Sequence, residues 1–395
     1  MHRWIRKSSV EQSDLPQIRN ASIGGAMSNP YLLLTPGPLS TTATVKEAMQ
    51  KDWCTWDHEY KAIVEQIRQQ LLEVGCTSKE HYTTVFMQGS GTFGVEATLG
   101  SVIPSEGKLL ILQNGAYGKR IEEIAKVLGI PHLSLEFAAN LPVDPQAVER
   151  KLIEDTSITH VAMVHCETTT GILNPLEAVV DVIKRNHRIA IIDAMSSFGG
   201  IPIAVEELQI DFIISSANKC IQGVPGFSFI LCKRDELMKC KGRARSLSLD
   251  LYDQWETMEK DSGKWRFTSP THVVHAFKQA LKELAEEGGV EARHARYRIN
   301  QQIVVEGMTQ AGFKAYLESE LQSPLITTFL YPTHIPFTFE HFYSYLKLAG
   351  YVIYPGKLTD LNVFRIGNMG DVHAKDMERL IEHILRFVGE SKDEN

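Results

Sequence analysis

Lys219 lies in the run IISSANKCIQGVPGF (213–227), among residues that are apolar, small or conformationally special: Ile213, Ile214, Ala217, Gly223, Pro225 and Gly226. A lysine on a loop is ordinarily solvated and inert. One sunk in such surroundings differs, because desolvation lowers the pKa of the ammonium and frees the amine lone pair for nucleophilic attack. Earlier in the chain, Asp193 closes the apolar run IAIID (189–193). A carboxylate withdrawn from water is costly unless it is paired. Asp193 therefore either caps the turn at 194–197 or faces a cationic heteroaromatic nitrogen. A third feature is FMQGSGTFGVEA (86–97), where Gly89, Gly91 and Gly94 make the spacing G-x-G-x-x-G. Such a turn between a strand and a helix lets main-chain amides approach a phosphate closely.

The glycine pattern alone also fits a nicotinamide-binding turn. That reading needs an acidic residue at the end of the next strand, to hold a ribose hydroxyl. The next apolar run, LLIL (109–112), leads instead into Gln113, Asn114 and Gly115. Taken together, the three features suit pyridoxal 5′-phosphate. Its aldehyde requires a lysine, its ring nitrogen an acid, and its single phosphate a set of amides at a helix start, here Ser90, Gly91 and Thr92.

These residues must be brought together by the elements between them. Short apolar runs without alternation recur at 83–87, 109–112, 158–164, 189–192, 211–214 and 227–231, separated by helical patterns such as Ile63, Ile67, Leu71 and Val74 ahead of Gly75. Continuous apolar strands interleaved with helices predict a largely parallel sheet covered on both faces. Ligands collect at the carboxyl ends of such strands. That rule selects Ser90 to Thr92, 114–117, 167–171, Asp193 and 215–219. A long helical stretch, 272–287, runs into Gly288 and Gly289. Helices near 291–310, 339–348 and 373–388 and strands near 325–330, 351–354 and 363–366 then predict a smaller α+β unit. The expected organisation is a leader over 1–28, a large domain over 29–288 whose N-terminal segment contacts the small domain, and a small domain over 289–395.

Composition narrows the function. The 395 residues are 43% hydrophobic and 23% charged, with a net charge of −7, the balance of an ordinary globular protein. No basic surplus points to nucleic acid, and no apolar run approaches the roughly 18 residues of a membrane span. Six scattered cysteines, with no C-x-x-C pair, fit buried thiols in a reducing cytoplasm rather than a metal site or disulfide framework. The first 28 residues begin basic but soon carry Glu11 and Asp14, a poor signal peptide. They are expected to be poorly ordered.

Longer stretches carry a resemblance. YLLLTPGPL (31–39), QGSGTFGVEA (88–97), NGAYGKR (114–120), HCETTTGILNP (165–175), IDAMSSFGGIP (192–202), ISSANKCIQGVPGF (214–227), SLSLDLYDQW (246–255), KWRFTSPTH (264–272) and FRIGNMG (364–370) occur in order. Over about residues 30–390 the chain resembles the class V aminotransferases of fold type I. The resemblance implies an α/β fold: a large, mostly parallel seven-stranded sheet domain flanked by helices, plus the smaller C-terminal domain. It implies a Schiff base between pyridoxal phosphate and Lys219, and Asp193 against the pyridine nitrogen. Ser90, Gly91 and Thr92 would hold the phosphate, with Asn218, where relatives carry Gln, close by. Tyr117, where many relatives have Trp, would stack on the cofactor, and Thr168 would lie near its 3-hydroxyl. Thr268 would reach the phosphate of a neighbouring subunit, so a homodimer is implied. Arg365 would grip the substrate's anionic end; on the residues alone, a pairing with a local acid stays open. The activity implied is transfer of the amino group of 2-aminoethylphosphonate to pyruvate, giving phosphonoacetaldehyde and L-alanine.

The rival of the same class is a serine– or alanine–glyoxylate (or pyruvate) aminotransferase, sharing every cofactor residue and differing in the donor pocket. A cysteine desulfurase would need a reactive thiol in an exposed Gly/Ser-rich loop, and none of the six cysteines stands in one.

Overall fold

A computed structural model describes residues 30–393; the leader expected over 1–28 lies outside the described residues. Seven strands form the main sheet: β1 (Tyr82–Gln88), β2 (Leu109–Gln113), β3 (His132–Glu136), β4 (His160–Val164), β5 (Ile189–Asp193), β6 (Phe212–Ser216) and β7 (Phe227–Lys233). Their spatial order is β1-β7-β6-β5-β4-β2-β3. Neighbours from β6 to β3 pair parallel, and β7 runs antiparallel to both β1 and β6. The mostly parallel, seven-stranded sheet expected from the sequence is therefore the fold observed.

Alternation explains why the strands read as unbroken apolar runs. Leu110, Leu112, Val161, Met163, Ile192 and Ile213 enter one core, while Leu109, Ile111, Ala162, Val164, Ile191 and Ile214 enter another across the sheet. Both faces are buried, so no polar position interrupts the pattern. The strand β3 was not among the predicted runs. It is one of the two edge strands, and unlike the other, β1, which is buried up to Met87, its residues HLSLE are half-buried or exposed, so its hydrophobic signal is diluted.

Helices α1 (His58–Val74), α2 (Gly91–Val102), α3 (Ala116–Val127), α4 (Pro145–Glu154) and α5 (Leu176–Arg185) cover the sheet, followed by the long α6 (Thr271–Glu287). Helix α1 starts where the Asp57 carboxylate accepts the Glu59 N–H and ends at Gly75. Gly288, at φ +107°, separates α6 from α7 (Gly289–Gln310), a left-handed conformation that glycine adopts without strain. Beyond it, β8 (Ile326–Leu330), β9 (Tyr354–Pro355) and β10 (Val363–Gly367) form a small antiparallel sheet in the order β8-β10-β9. Phe313, Phe329, Phe364 and Ile366 pack there against α8 (Phe339–Leu348) and α9 (Ala374–Asp393). The segment Leu32–Leu33 pairs parallel with Tyr351–Val352, and Leu34 joins the same core.

The rim carrying the candidate residues is fixed by amides. Buried Asn174 accepts the Asn114 Nδ2 (2.8 Å) and the Val143 N–H (3.0 Å) at Oδ1, and its own Nδ2 donates to the Val164 carbonyl (2.8 Å). It thereby ties the ends of β2 and β4. Leaving one buried polar group unsatisfied costs about 1–3 kcal/mol, and Asn174→Ala would orphan more than one. The variant should lose about 3 kcal/mol of stability, read as a lower urea midpoint at unchanged slope. An unchanged midpoint would mean that water replaces these bonds.

Candidate active site

The carboxyl ends of β1, β4, β5 and β6, with helix α3, converge on a cavity of about 200 Å³. Ser90, Gly91, Thr92, Tyr117, Thr168, Asp193, Asn218 and Lys219 all line it. Two of the sequence candidates do not. Thr268 is exposed on the segment before α6. Arg365 is fully buried on β10 and reaches the cavity wall through its Nη1, which donates to the Thr168 carbonyl at 2.8 Å.

Lys219 follows β6 in a turn. Its Nζ donates to the Pro36 carbonyl at 2.5 Å, and a Cβ at Gly37 would fall 2.5 Å from that nitrogen. The TPGPL loop is thus built around the amine. Burial holds the ammonium below its usual pKa, against the opposing influence of Tyr117 and Asp193. Its remaining exposure is to the cavity it lines.

Asp193 ends β5. One oxygen, Oδ1, accepts the Met195 N–H at 2.9 Å. Among the described residues Oδ2 accepts no hydrogen bond. Burial pushes this carboxyl up to about 6, with the Met195 bond and the charges of Lys219 and Arg120 pulling against it.

Helix α2 begins at Ser90, whose side chain makes no capping bond. Phe93 and Gly94 donate to the Ser90 carbonyl, which leaves the Gly91 and Thr92 amides unpartnered at the positive end of the helix dipole. A Cβ at Gly91 would meet the Met195 sulfur at 2.2 Å, so the first turn is pressed against the loop after Asp193. The Ser216 hydroxyl donates to the Asn218 Oδ1 at 3.1 Å, leaving the Asn218 NH₂ free to donate.

Helix α3 carries Tyr117. Its cap is Glu167, fully buried, which accepts the Tyr117 N–H at 3.0 Å, the Gly118 N–H at 3.3 Å and the Thr169 N–H at 3.1 Å. Burial pushes the Glu167 carboxyl up, and those bonds oppose the rise. Burial also pushes the Tyr117 phenol up, but Lys219, Lys357 and Thr168 together leave it below its ordinary value.

Arg365 spends three of its five N–H groups on main-chain oxygens: one on Thr168, and Nε and Nη2 (3.1 and 2.9 Å) on Pro355. No acid pairs with it among the described residues. One N–H remains on each terminal nitrogen, the number needed for a bidentate anion.

Comparison with known proteins identifies the chain's relatives. The family model of aminotransferase class-V matches residues 44–349. This chain belongs to the class-V aminotransferases. Curated 2-aminoethylphosphonate–pyruvate transaminases of Bacillus cereus (strain Q1) and Bacillus mycoides (strain KBAB4) are 59% and 58% identical to it over 360 residues, covering 91% of this chain and 98% of theirs. Among solved structures, ureidoglycine–glyoxylate aminotransferase of Bacillus subtilis superposes with a TM-score of 0.84 at 23% identity, covering 93% of this chain and 95% of that one. Pyridoxamine–pyruvate aminotransferase of Mesorhizobium loti does so with 0.83 at 24%, covering 92% and 93%. These two show the shared fold.

The class-V aminotransferases are pyridoxal-phosphate enzymes, and this transaminase uses that cofactor. The cavity fits it. Asp193 Oδ2 awaits a donor, the Gly91 and Thr92 amides await an acceptor, and Lys219 offers an amine held toward its neutral form.

Sequence reasoning missed several lining residues. Arg120 lies one turn after Tyr117 on α3, with its guanidinium 5.1 Å from that ring and Nη1 3.5 Å from the Thr92 hydroxyl. The spacing of three was the available signal. Ser196 carried no pattern of its own, whereas Ser216 and Glu167 stood inside the selected segments 215–219 and 167–171, Ser216 lining the cavity and Glu167 supporting it from behind α3. The expectation of six buried thiols needs correction: Cys54 and Cys76 are exposed. Cys54 precedes α1 in a loop, and Cys76 follows the Gly75 cap at φ +52°, so neither can reach a core. Cys166, on the cavity wall, is pushed up to about 11 by burial and is no nucleophile.

The Asp193 shift gives a pH test. An unfolded aspartate titrates near about 3.9, so the cofactor-free fold retains a proton there that the unfolded chain has released. Its stability then falls as the pH rises from about 4 to about 6. In Asp193→Asn that fall should vanish, so the variant's advantage in urea midpoint should grow across this window and level off above it. A difference independent of pH would mean the carboxyl ionises normally in the fold.

Proposed function

We propose that this transaminase moves the amino group of 2-aminoethylphosphonate to pyruvate, releasing phosphonoacetaldehyde and L-alanine. Relatives so named share its sequence along nearly its whole length. Within the chain, the observation that carries the reading is Arg365: a buried guanidinium whose bonds go to carbonyls and whose charge lacks a counter-ion among the described residues. A buried cation without an anion is unfavourable, and burial already holds this one below its ordinary pKa. Its planar fork suits the phosphonate of one substrate and the carboxylate of the other, each in turn.

The other roles are proposed with it. Asp193 Oδ2 would hold the proton on the cofactor's ring nitrogen. The Gly91 and Thr92 amides, with Ser90 and Asn218, would hold its phosphate, with Tyr117 against the ring and Thr168 near the 3-hydroxyl. Bound pyridoxal phosphate supplies an electron sink for the pair left behind when the donor carbon loses its proton. Lys219 Nζ takes that proton, and its lowered pKa keeps the amine free to do so.

We further infer a homodimer in which Thr268 of the partner subunit completes each phosphate site. Thr268 is exposed, as is its neighbour Phe267, and Phe93 stands exposed beside Thr92. A second subunit would cover these rings. Sedimentation should return twice the chain mass; a monomer at working concentration refutes this. The segregated cores on either side of Gly288 support a boundary at 288 between a 29–288 and a 289–395 domain. The free cysteines support a cytoplasmic, reducing location.

A donor panel tests the activity. With pyruvate as acceptor, 2-aminoethylphosphonate should outpace alanine and serine widely. Preference for alanine or serine with glyoxylate would assign the rival activity instead. Lys219→Ala should reduce turnover below detection. Arg365→Ala should cost about 2–5 kcal/mol, roughly 30-fold or more in kcat/KM, with both substrates. A loss confined to pyruvate would place the phosphonate elsewhere.

A further inference from the structure

A carboxylate has two oxygens, and the two N–H groups left on Arg365 satisfy it. A phosphonate has three oxygens and, like a phosphate monoester, carries between one and two charges near neutral pH. An arginine fork alone therefore leaves one oxygen and part of the charge uncompensated. Discrimination between the two requires a second cation near the first.

Lys357 is the candidate. It follows β9 in the loop that joins β9 to β10, two residues after Pro355, whose carbonyl accepts two of the Arg365 bonds. Across the hairpin Tyr354 pairs with Arg365, so the lysine and the arginine come from one local unit. Gly356 donates its N–H to the Val363 carbonyl at 3.0 Å, and a Cβ there would fall 2.3 Å from that oxygen, so the hairpin stays closed up to the residue before Lys357. The ammonium lies 4.8 Å from the centroid of the Tyr117 ring, set against an aromatic face instead of an acid. Tyr117 lines the cavity. Its phenol feels the charges of Lys219 and Lys357, and the Arg365 guanidinium in turn feels the phenol, so all three cations lie around Tyr117, with Lys357 lining the neighbouring pocket beside Lys119 and Thr169.

We infer that Lys357 is the residue by which the site tells a phosphonate from a carboxylate, adding its ammonium to the third oxygen once Arg365 holds the other two. The inference rests on the proposed donor. It makes the two half-reactions unequal: the donor uses both cations, while pyruvate uses the arginine alone.

Calorimetry on the holoenzyme tests this with two unreactive probes that lack the amine, ethylphosphonate and propionate. A hydrogen bond to a charged group is worth roughly tenfold or more in affinity. Lys357→Gln should therefore weaken ethylphosphonate about tenfold and propionate less than twofold, and Lys357→Arg should restore most of the loss. Lys357 is exposed, so neither variant threatens folding. Equal weakening of both probes would reduce Lys357 to a clamp on the Tyr117 ring, and unchanged affinities would remove it from the site; either overturns the inference. Lys357-dependent binding of ethylphosphonate without wild-type turnover of 2-aminoethylphosphonate would defeat the donor assignment and leave the subsite standing. Turnover with ethylphosphonate binding indifferent to Lys357 would do the reverse.

Discussion

A carboxylate taken out of water and given a single hydrogen bond is held at considerable cost, and Asp193 is held this way at the end of β5. One oxygen takes the Met195 amide and the other takes nothing among the described residues. Neither cation of the cavity pairs with it: Arg120 acts on it only through its charge, and Lys219 is itself driven toward neutrality by burial. The two groups shift in opposite directions for the same reason: each sheds charge when solvent is removed. What the protein supplies is therefore a pair of groups, each biased by burial away from its charged form, awaiting a ligand that is cationic at one edge and carries an aldehyde at another.

Parallel strands make that placement affordable. Their backbone groups are satisfied within the sheet up to the rim, and both faces are closed by apolar cores. Unsatisfied polarity then collects where the strands end and helices begin. The Gly91 and Thr92 amides, Asp193 Oδ2 and the Asn218 NH₂ are all of this kind. They come from three separate strand ends, and contacts of their neighbours fix them, Met195 against Gly91 and Ser216 against Asn218, while Glu167 holds the start of α3 beside them.

Much of this was legible in the sequence, because burial on both faces leaves a strong one-dimensional trace. IAIID and the run before Lys219 announced their strands and the polar residue at each end. Legibility failed where the signal is shared between faces or between chain segments. The edge strand HLSLE has only one covered neighbour. Arg120 reads as an ordinary solvated residue of an amphipathic helix until Tyr117 is known to face the cavity. Arg365 was ambiguous, since a sequence cannot say whether an acid stands nearby; three-dimensional placement supplied carbonyls instead. The exposure of Cys54 and Cys76 turned on loop geometry, which composition does not encode.

The position of Arg365 bears on how one site serves two substrates of different shape. The guanidinium belongs to the small sheet, but Nη1 is bonded to the peptide of Thr168, which lies in the turn shortly after β4 of the large sheet and lines the cofactor cavity. Reach between the anion-binding fork and the Lys219 amine is thereby fixed through one peptide group rather than through a flexible loop. A substrate whose charge sits too far from its reacting carbon cannot satisfy both ends at once. With the proposed roles of Arg365 and Lys357, length would be selected by this span and charge by the cations at its far end, so the pocket would accept both a two-carbon phosphonate amine and a small keto acid without rearranging its cofactor-binding half.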